Sequence, residues 1–116
     1  MIERKLENEL MAQVVSFGHT VETAGQVADD ISKDVKGQAA EAFAKIDHLL
    51  SQVGASKQDL TRIQMWLADM KDFDHMNEVY AQWLAGSGKP VRACVGAELV
   101  AGGYLIEVQA FAYRQR

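Results

Sequence analysis

The 116-residue sequence contains a single cysteine and a single proline. Cys94 has no partner for an intrachain disulfide, and a cysteine-based zinc site is excluded. That fits a reducing, cytoplasmic setting. One proline excludes a proline-rich linker protein. A cationic excess is also missing: 12 Lys and Arg stand against 16 Asp and Glu, for a formal charge of −4. Duplex DNA and anionic membranes are gripped through clustered cations, so no nucleic acid and no membrane is expected as the main partner. The opening MIERKLENEL mixes charges without an apolar run and reads as neither a secretory signal nor a membrane span. Internal repeats, low-complexity tracts and linkers are absent, so residues 1–116 read as a single domain. What is present is a 48% apolar fraction, which excludes intrinsic disorder. A chain of this length buries roughly two-thirds of its unfolded surface, so neither disulfides nor a structural metal are needed.

Residues 11–26 predict a hairpin, with MAQVVSF as one arm, Gly18-His19 as the turn and Thr20 to Ala24 alternating back. The polar stretch 27–34 ends in the helix-capping types Ser32 and Asp34. Val35, Ala39, Ala42, Ile46, Leu49, Leu50 and Val53 then form one apolar stripe, a helix of about five turns stopped at Gly54. Residues 60–68 predict a strand with Ile63, Met65 and Leu67 on one face and Arg62, Gln64 and Trp66 on the other. Asp72 is the expected cap of a second helix that buries Phe73, Met76, Tyr80, Trp83 and Leu84 and breaks at residues 86–90. Strands at 91–99 and 104–113 follow, and a short extra strand is expected near residues 2–6. The order β-β-α-β-α-β-β implies an α+β fold, one sheet with two helices packed on one face. Its other face would carry Trp66, Phe111 and either Val14 or Val15, so an oligomer is expected.

Several motif readings fail on their surroundings. Gly86-Ser87-Gly88-Lys89 lacks the first glycine of a phosphate loop and leads into Pro90 and a strand, not a helix whose amides would face phosphate. His19, His48 and His75 show no paired ligand spacing. Asp72 and Asp74 beside His75 read as acidic residues at the positive end of a helix in preference to a metal site. In 91–96, alternation puts Arg92, Cys94 and Gly96 on one face. An arginine in mid-strand needs a partner, and its planar fork of donors suits a carboxylate. Glu107 stands among Leu105, Ile106 and Val108 in the most apolar strand. Two readings stay open: Arg92 and Glu107 neutralise each other as a buried ion pair, or they serve a ligand. Cys94 taken alone reads as a small core filler.

The motifs together carry a resemblance. Pro90-Val91-Arg92-Ala93-Cys94-Val95 followed by Leu105-Ile106-Glu107-Val108 resembles the C-terminal signature of the reactive intermediate deaminase family. That family is also called YjgF-like, and some members carry an older translation-inhibitor or endoribonuclease label. Ala24-Gly25-Gln26 stands where the family has Ser-Gly-Gln, Asp34-Val35 with Gln38 opens the long helix, and Asp69, Asp72-Phe73, Asn77 and Tyr80 match its D..DF...N..Y run. The match covers roughly residues 11–113.

The resemblance implies a mixed sheet backed by two helices, like chorismate mutase of the Bacillus type. The short connection at 100–103 reads locally as a hairpin. In the family, however, the last strand inserts between the strands near 20–26 and 60–68. It also implies a homotrimer with a central barrel and ligand clefts between subunits. The implied activity is hydrolysis of enamine and imine acids such as 2-aminoacrylate to 2-keto acids and ammonia, with no metal or organic cofactor. Arg92 would hold the substrate carboxylate and Glu107 would orient the attacking water. Cys94, Asn77, Ala24 and Gly25 would line the site. Two positions depart from the active branch: Met11 replaces a tyrosine and Ala24 a serine, removing two hydroxyls and changing which substrates fit. The alternative is a non-catalytic trimer that binds small carboxylates such as 2-keto acids. A ribonuclease reading is opposed by the acidic composition and the lack of a basic, aromatic-interleaved strip.

Overall fold

The computed structural model describes residues 1–115. The apolar stripe forms helix α1 (Val35–Gln52), whose Asp34 cap accepts a hydrogen bond from the Gly37 amide at its side chain. Val35, Ala39, Ala42, Phe43, Ile46, Leu49 and Leu50 are buried along it. The chain leaves the helix through Gly54 at φ 71°, a backbone conformation that glycine adopts without steric cost.

Six strands form one sheet: β1 (Ile2–Lys5), β2 (Val14–Phe17), β3 (Thr20–Thr23), β4 (Leu60–Leu67), β5 (Val91–Gly96) and β6 (Ile106–Tyr113), in the order β1-β2-β3-β6-β4-β5. Helix α2 (Phe73–Trp83) supplies the crossover that the parallel β4–β5 pair requires. The remaining pairs are antiparallel. Ile106, Val108, Ala110 and Ala112 of β6 and Ile63, Met65 and Leu67 of β4 are buried in one core with residues of α1 and α2. The expected mixed sheet with two helices on one face is therefore present, with the last strand inserted between β3 and β4 as the resemblance implied. The hairpin suggested by the short 100–103 connection does not form.

Several local expectations need correction. β5 stops at Gly96 and β6 starts at Ile106, so both strands are shorter than expected. The backbone at 103–105 is tied to α1 by Gln38, which is fully buried. Its Nε2 donates to the carbonyls of Gly103 at 3.2 Å and Lys33 at 3.1 Å, and its Oε1 accepts from the Leu105 amide at 2.9 Å. Asp72 makes no side-chain cap for α2. The capping carboxylate is that of Asp69, which accepts from the Lys71 amide at the head of the 3₁₀ turn leading into α2. Within α2 and just after it, Met76 and Leu84 are fully buried, whereas Phe73, Tyr80 and Trp83 are half-buried against the core. Val15, not Val14, faces away from the helices. The glycine–lysine segment closes the end of α2: Lys89 Nζ donates to the carbonyls of Leu84 and Ser87 at 3.0 and 2.7 Å. No helix among the described residues is long and apolar enough to cross a membrane.

Replacing Gln38 by Leu strips partners from several inward-facing backbone groups at once. Gln38→Leu is expected to lower unfolding stability by about 2 kcal/mol or more in urea titration. A loss within about 0.5 kcal/mol, the range of ordinary surface substitutions, would contradict the role given to this amide.

Candidate functional site

The register of β5 against β4 pairs Arg92 with Ile63, Cys94 with Met65 and Gly96 with Leu67. Arg92, Cys94 and Gly96 therefore share the helix-side face, as alternation predicts. Arg92 is nevertheless exposed, contrary to the expectation of a guanidinium enclosed in mid-sheet. Alternation specifies a face but not a strand's place in the sheet, and β5 lies at the edge.

Helix α2 builds a cradle for this cation. Phe73, Asn77 and Tyr80 are spaced four and three residues apart and so lie on one helical face. Arg92 Nη1 donates to Asn77 Oδ1 at 2.6 Å, and the guanidinium carbon lies 4.8 Å from the Tyr80 ring centre and 5.6 Å from that of Phe73. Asn77 takes one of the five guanidinium protons. Among the described residues no carboxylate pairs with Arg92. Burial pushes the Cys94 thiol above its ordinary pKa, while the Arg92 charge opposes the shift. The Tyr80 phenol is raised by burial in the same way and is likewise opposed by Arg92.

Glu107 belongs to a second group. It pairs in register with Trp66 of β4, on the sheet face away from the helices. Its carboxylate lies over Gly25: a Cβ built there would stand 2.0 Å from Glu107 Oε2, so any side chain at this position would displace the carboxylate. The Ala24–Gly25 turn is held beside Glu107 because Gln26 exchanges backbone hydrogen bonds with Val108 at 2.7 and 2.9 Å.

The six residues singled out from the sequence thus fall into two groups. Arg92, Asn77 and Cys94 lie at the β5 edge on the helix side; Glu107, Gly25 and Ala24 lie on the opposite face, with β4 between β5 and β6. The buried Arg92–Glu107 ion pair does not form, since side chains on opposite faces cannot meet. Sequence reasoning missed Phe73 and Tyr80 as site residues, although their spacing from Asn77 was the signal, and it missed Trp66 beside Glu107. Met11, standing for the family's tyrosine, is exposed before β2. Asp72 and His75 face a cleft also lined by Asp34 and Lys36, and the described residues contain no group of three or more His, Cys, Asp or Glu placed to hold a metal ion.

Comparison with known proteins places this geometry. The family described as Endoribonuclease L-PSP matches residues 6–114. The chain belongs to this family. Among curated L-PSP relatives, a RutC family protein of Pyrococcus abyssi is 32% identical over 110 residues, covering 90% of this chain and 86% of that one. A protein of Acinetobacter baylyi named 3-aminoacrylate deaminase RutC is 34% identical over 80 residues, 69% of this chain and 63% of its own. A crystal structure of a YjgF family member from Neisseria meningitidis superposes with a TM-score of 0.95 at 26% identity, covering 100% of this chain and 97% of the other. The YjgF-like resemblance read from the motifs is borne out.

The Cys94 environment gives a test that needs no ligand. Thiolate absorbance near 240 nm is expected to rise at higher pH than for free cysteine, because burial dominates, and Arg92→Ala is expected to move the rise higher still. A midpoint at or below that of free cysteine would contradict the arrangement.

Proposed function

We propose that this chain is an enamine/imine deaminase that hydrolyses small 2-imino and enamine acids, such as 2-aminoacrylate, to 2-keto acids and ammonia. It would work as a cytoplasmic homotrimer of chorismate-mutase-like form with a central barrel. The observation that carries this reading is the Arg92 guanidinium at an exposed strand edge, steadied by Asn77 and two aromatic rings, with no carboxylate of its own. Such a group suits the carboxylate of a small acid, held bidentately. The relative named for deamination of 3-aminoacrylate, itself an enamine acid, supports the substrate class.

Glu107 supplies the water chemistry. After the enamine tautomerises to the imine, a water hydrogen-bonded to the carboxylate attacks C2. Glu107 takes the water's proton and delivers it to nitrogen. In the resulting carbinolamine Glu107 takes the remaining hydroxyl proton and passes it to the amino nitrogen as the C–N bond breaks, so that ammonia leaves and the former water oxygen becomes the ketone oxygen. An iminium carbon is already electrophilic, so placement contributes more than a strong nucleophile would. Because Arg92 and Glu107 lie on opposite faces of one sheet, a complete site takes Arg92 from one protomer and Glu107 from another. The face presenting Val15, Trp66, Glu107 and Phe111 is the proposed barrel side.

A second reading, a non-catalytic trimer binding 2-keto acids, is favoured by one observation: Ala24 beside Gly25 has no hydroxyl to offer a substrate. The family's ribonuclease label finds no support in a chain of charge −4.

Generating 2-aminoacrylate with a serine dehydratase and following pyruvate separates the two readings. The protein is expected to accelerate pyruvate formation, and Arg92→Ala to lower kcat/KM by about 10²-fold or more while the variant stays folded at the assay temperature. Binding of 2-keto acids without acceleration would establish the binder. Turnover that survives Arg92→Ala would refute the site assignment.

A further inference from the structure

Gln26 is a buried amide that neither the fold's core nor the chemistry above accounts for. It is 8% exposed, and its Nε2 has three oxygens around it: Gln13 Oε1 at 2.8 Å, the Gly25 carbonyl at 3.2 Å and the Ala24 carbonyl at 3.3 Å. Its own amide and carbonyl are both committed to Val108, the residue after Glu107. One residue therefore ties the 24–25 turn to the strand that carries the proposed water-activating carboxylate.

The peptide bond between Ala24 and Gly25 is trans, as are all the others described. In a trans peptide the C=O and N–H point in opposite directions. Turning the Ala24 carbonyl inward to Gln26 Nε2 therefore turns the Gly25 N–H outward. Gly25 is exposed, its N–H donates to no acceptor among the described residues, and the Glu107 carboxylate lies against its Cα. Without the Nε2 protons, three oxygens would converge with nothing between them, and the peptide plane would lose what holds it.

We propose that Gln26 is a positioning residue: it fixes the Ala24–Gly25 peptide so that the Gly25 N–H is presented beside Glu107 as a donor to the oxygen added to the substrate. This rests on the deaminase reading of the same site. In the hydrolysis written above, that oxygen enters as water and leaves as the ketone oxygen of the product. A fixed N–H would serve it throughout without reorganising. Arg92 would hold the carboxylate independently, so the loss of Gln26 falls on turnover more than on binding.

The test uses the full-length protein, ¹⁵N-labelled, with 2-oxobutanoate as the probe. In the wild type, the Gly25 amide proton is expected to move downfield on titration. In Gln26→Met, which keeps the side-chain length but not the donor, that movement is lost while the Arg92-dependent affinity remains. With 2-aminoacrylate, assayed well below the variant's own thermal midpoint so that all of it is folded, the variant is expected to lose about tenfold or more in kcat with KM within about twofold. A wild-type Gly25 resonance that stays put during Arg92-dependent binding would overturn the proposal and leave the deaminase reading standing. So would a Gln26→Met variant whose kcat is intact, or whose losses merely track the fraction unfolded. If the wild type neither binds the keto acid nor turns over the imine, the reading and the proposal fall together.

Discussion

Side chains alternate across a strand, and adjacent strands in register keep the same faces. These two facts govern the placement of everything chemical in this protein. Pairing Arg92 with Ile63 sends the cation toward the helices; pairing Glu107 with Trp66 sends the carboxylate the other way. No rotamer change overcomes that, because the sheet itself stands between them. A one-residue slip of β5 would invert its entire pattern, moving Val91, Ala93 and Val95 to the helix side and Arg92 out of reach of Asn77.

The arginine survives at an edge because α2 prepares a seat for it. Each aromatic ring offers an attraction of about 0.5–1 kcal/mol at an exposed position, and the Asn77 carbonyl adds a charge-assisted hydrogen bond. These contacts restrict the guanidinium without neutralising it, unlike an ion pair. An edge position also leaves backbone and side chain open to an arriving molecule or another protomer. On the opposite face, Glu107 is hemmed in by a glycine that has no side chain to push it away. The two groups differ in kind: one is a steadied cation, the other a carboxylate placed beside a backbone turn.

Much of this was legible in the residues. The stripe from Val35 to Val53, the Gly18–His19 hairpin and the alternation of 60–68 depend on local periodicity, and each is present, with the hairpin arms confined to 14–17 and 20–23 and the third strand ending at Leu67. Strand order was less accessible, since insertion of β6 between β3 and β4 depends on contacts far apart in sequence. Local reading of the 100–103 connection favours a hairpin, and only the family resemblance opposed it. Alternation correctly paired Arg92 with Cys94 and Gly96 on one face, yet it could not reveal that β5 is an edge strand, so the burial of Arg92 was misjudged. Asp72 fails as the cap because a 3₁₀ turn precedes the helix, and the carboxylate that caps this turn is that of Asp69. Gln26 entered the sequence reading only as the last residue of the Ser-Gly-Gln match, with no role of its own. Its role emerges only from which carbonyls face its amide.

The central claim is that a working site is shared between copies of the chain. Mixing two inactive variants, Arg92→Ala and Glu107→Gln, tests it most directly. Each alone should be inactive. Unfolded together in equal amounts and refolded, they should form mixed assemblies in which about a quarter of the sites join an intact Arg92 to an intact Glu107, as random assortment in a cyclic oligomer requires. Recovery of about that fraction of wild-type pyruvate formation is the predicted result. Mixed assemblies that form, as shown by a tag carried on one variant, but remain inactive would contradict the account.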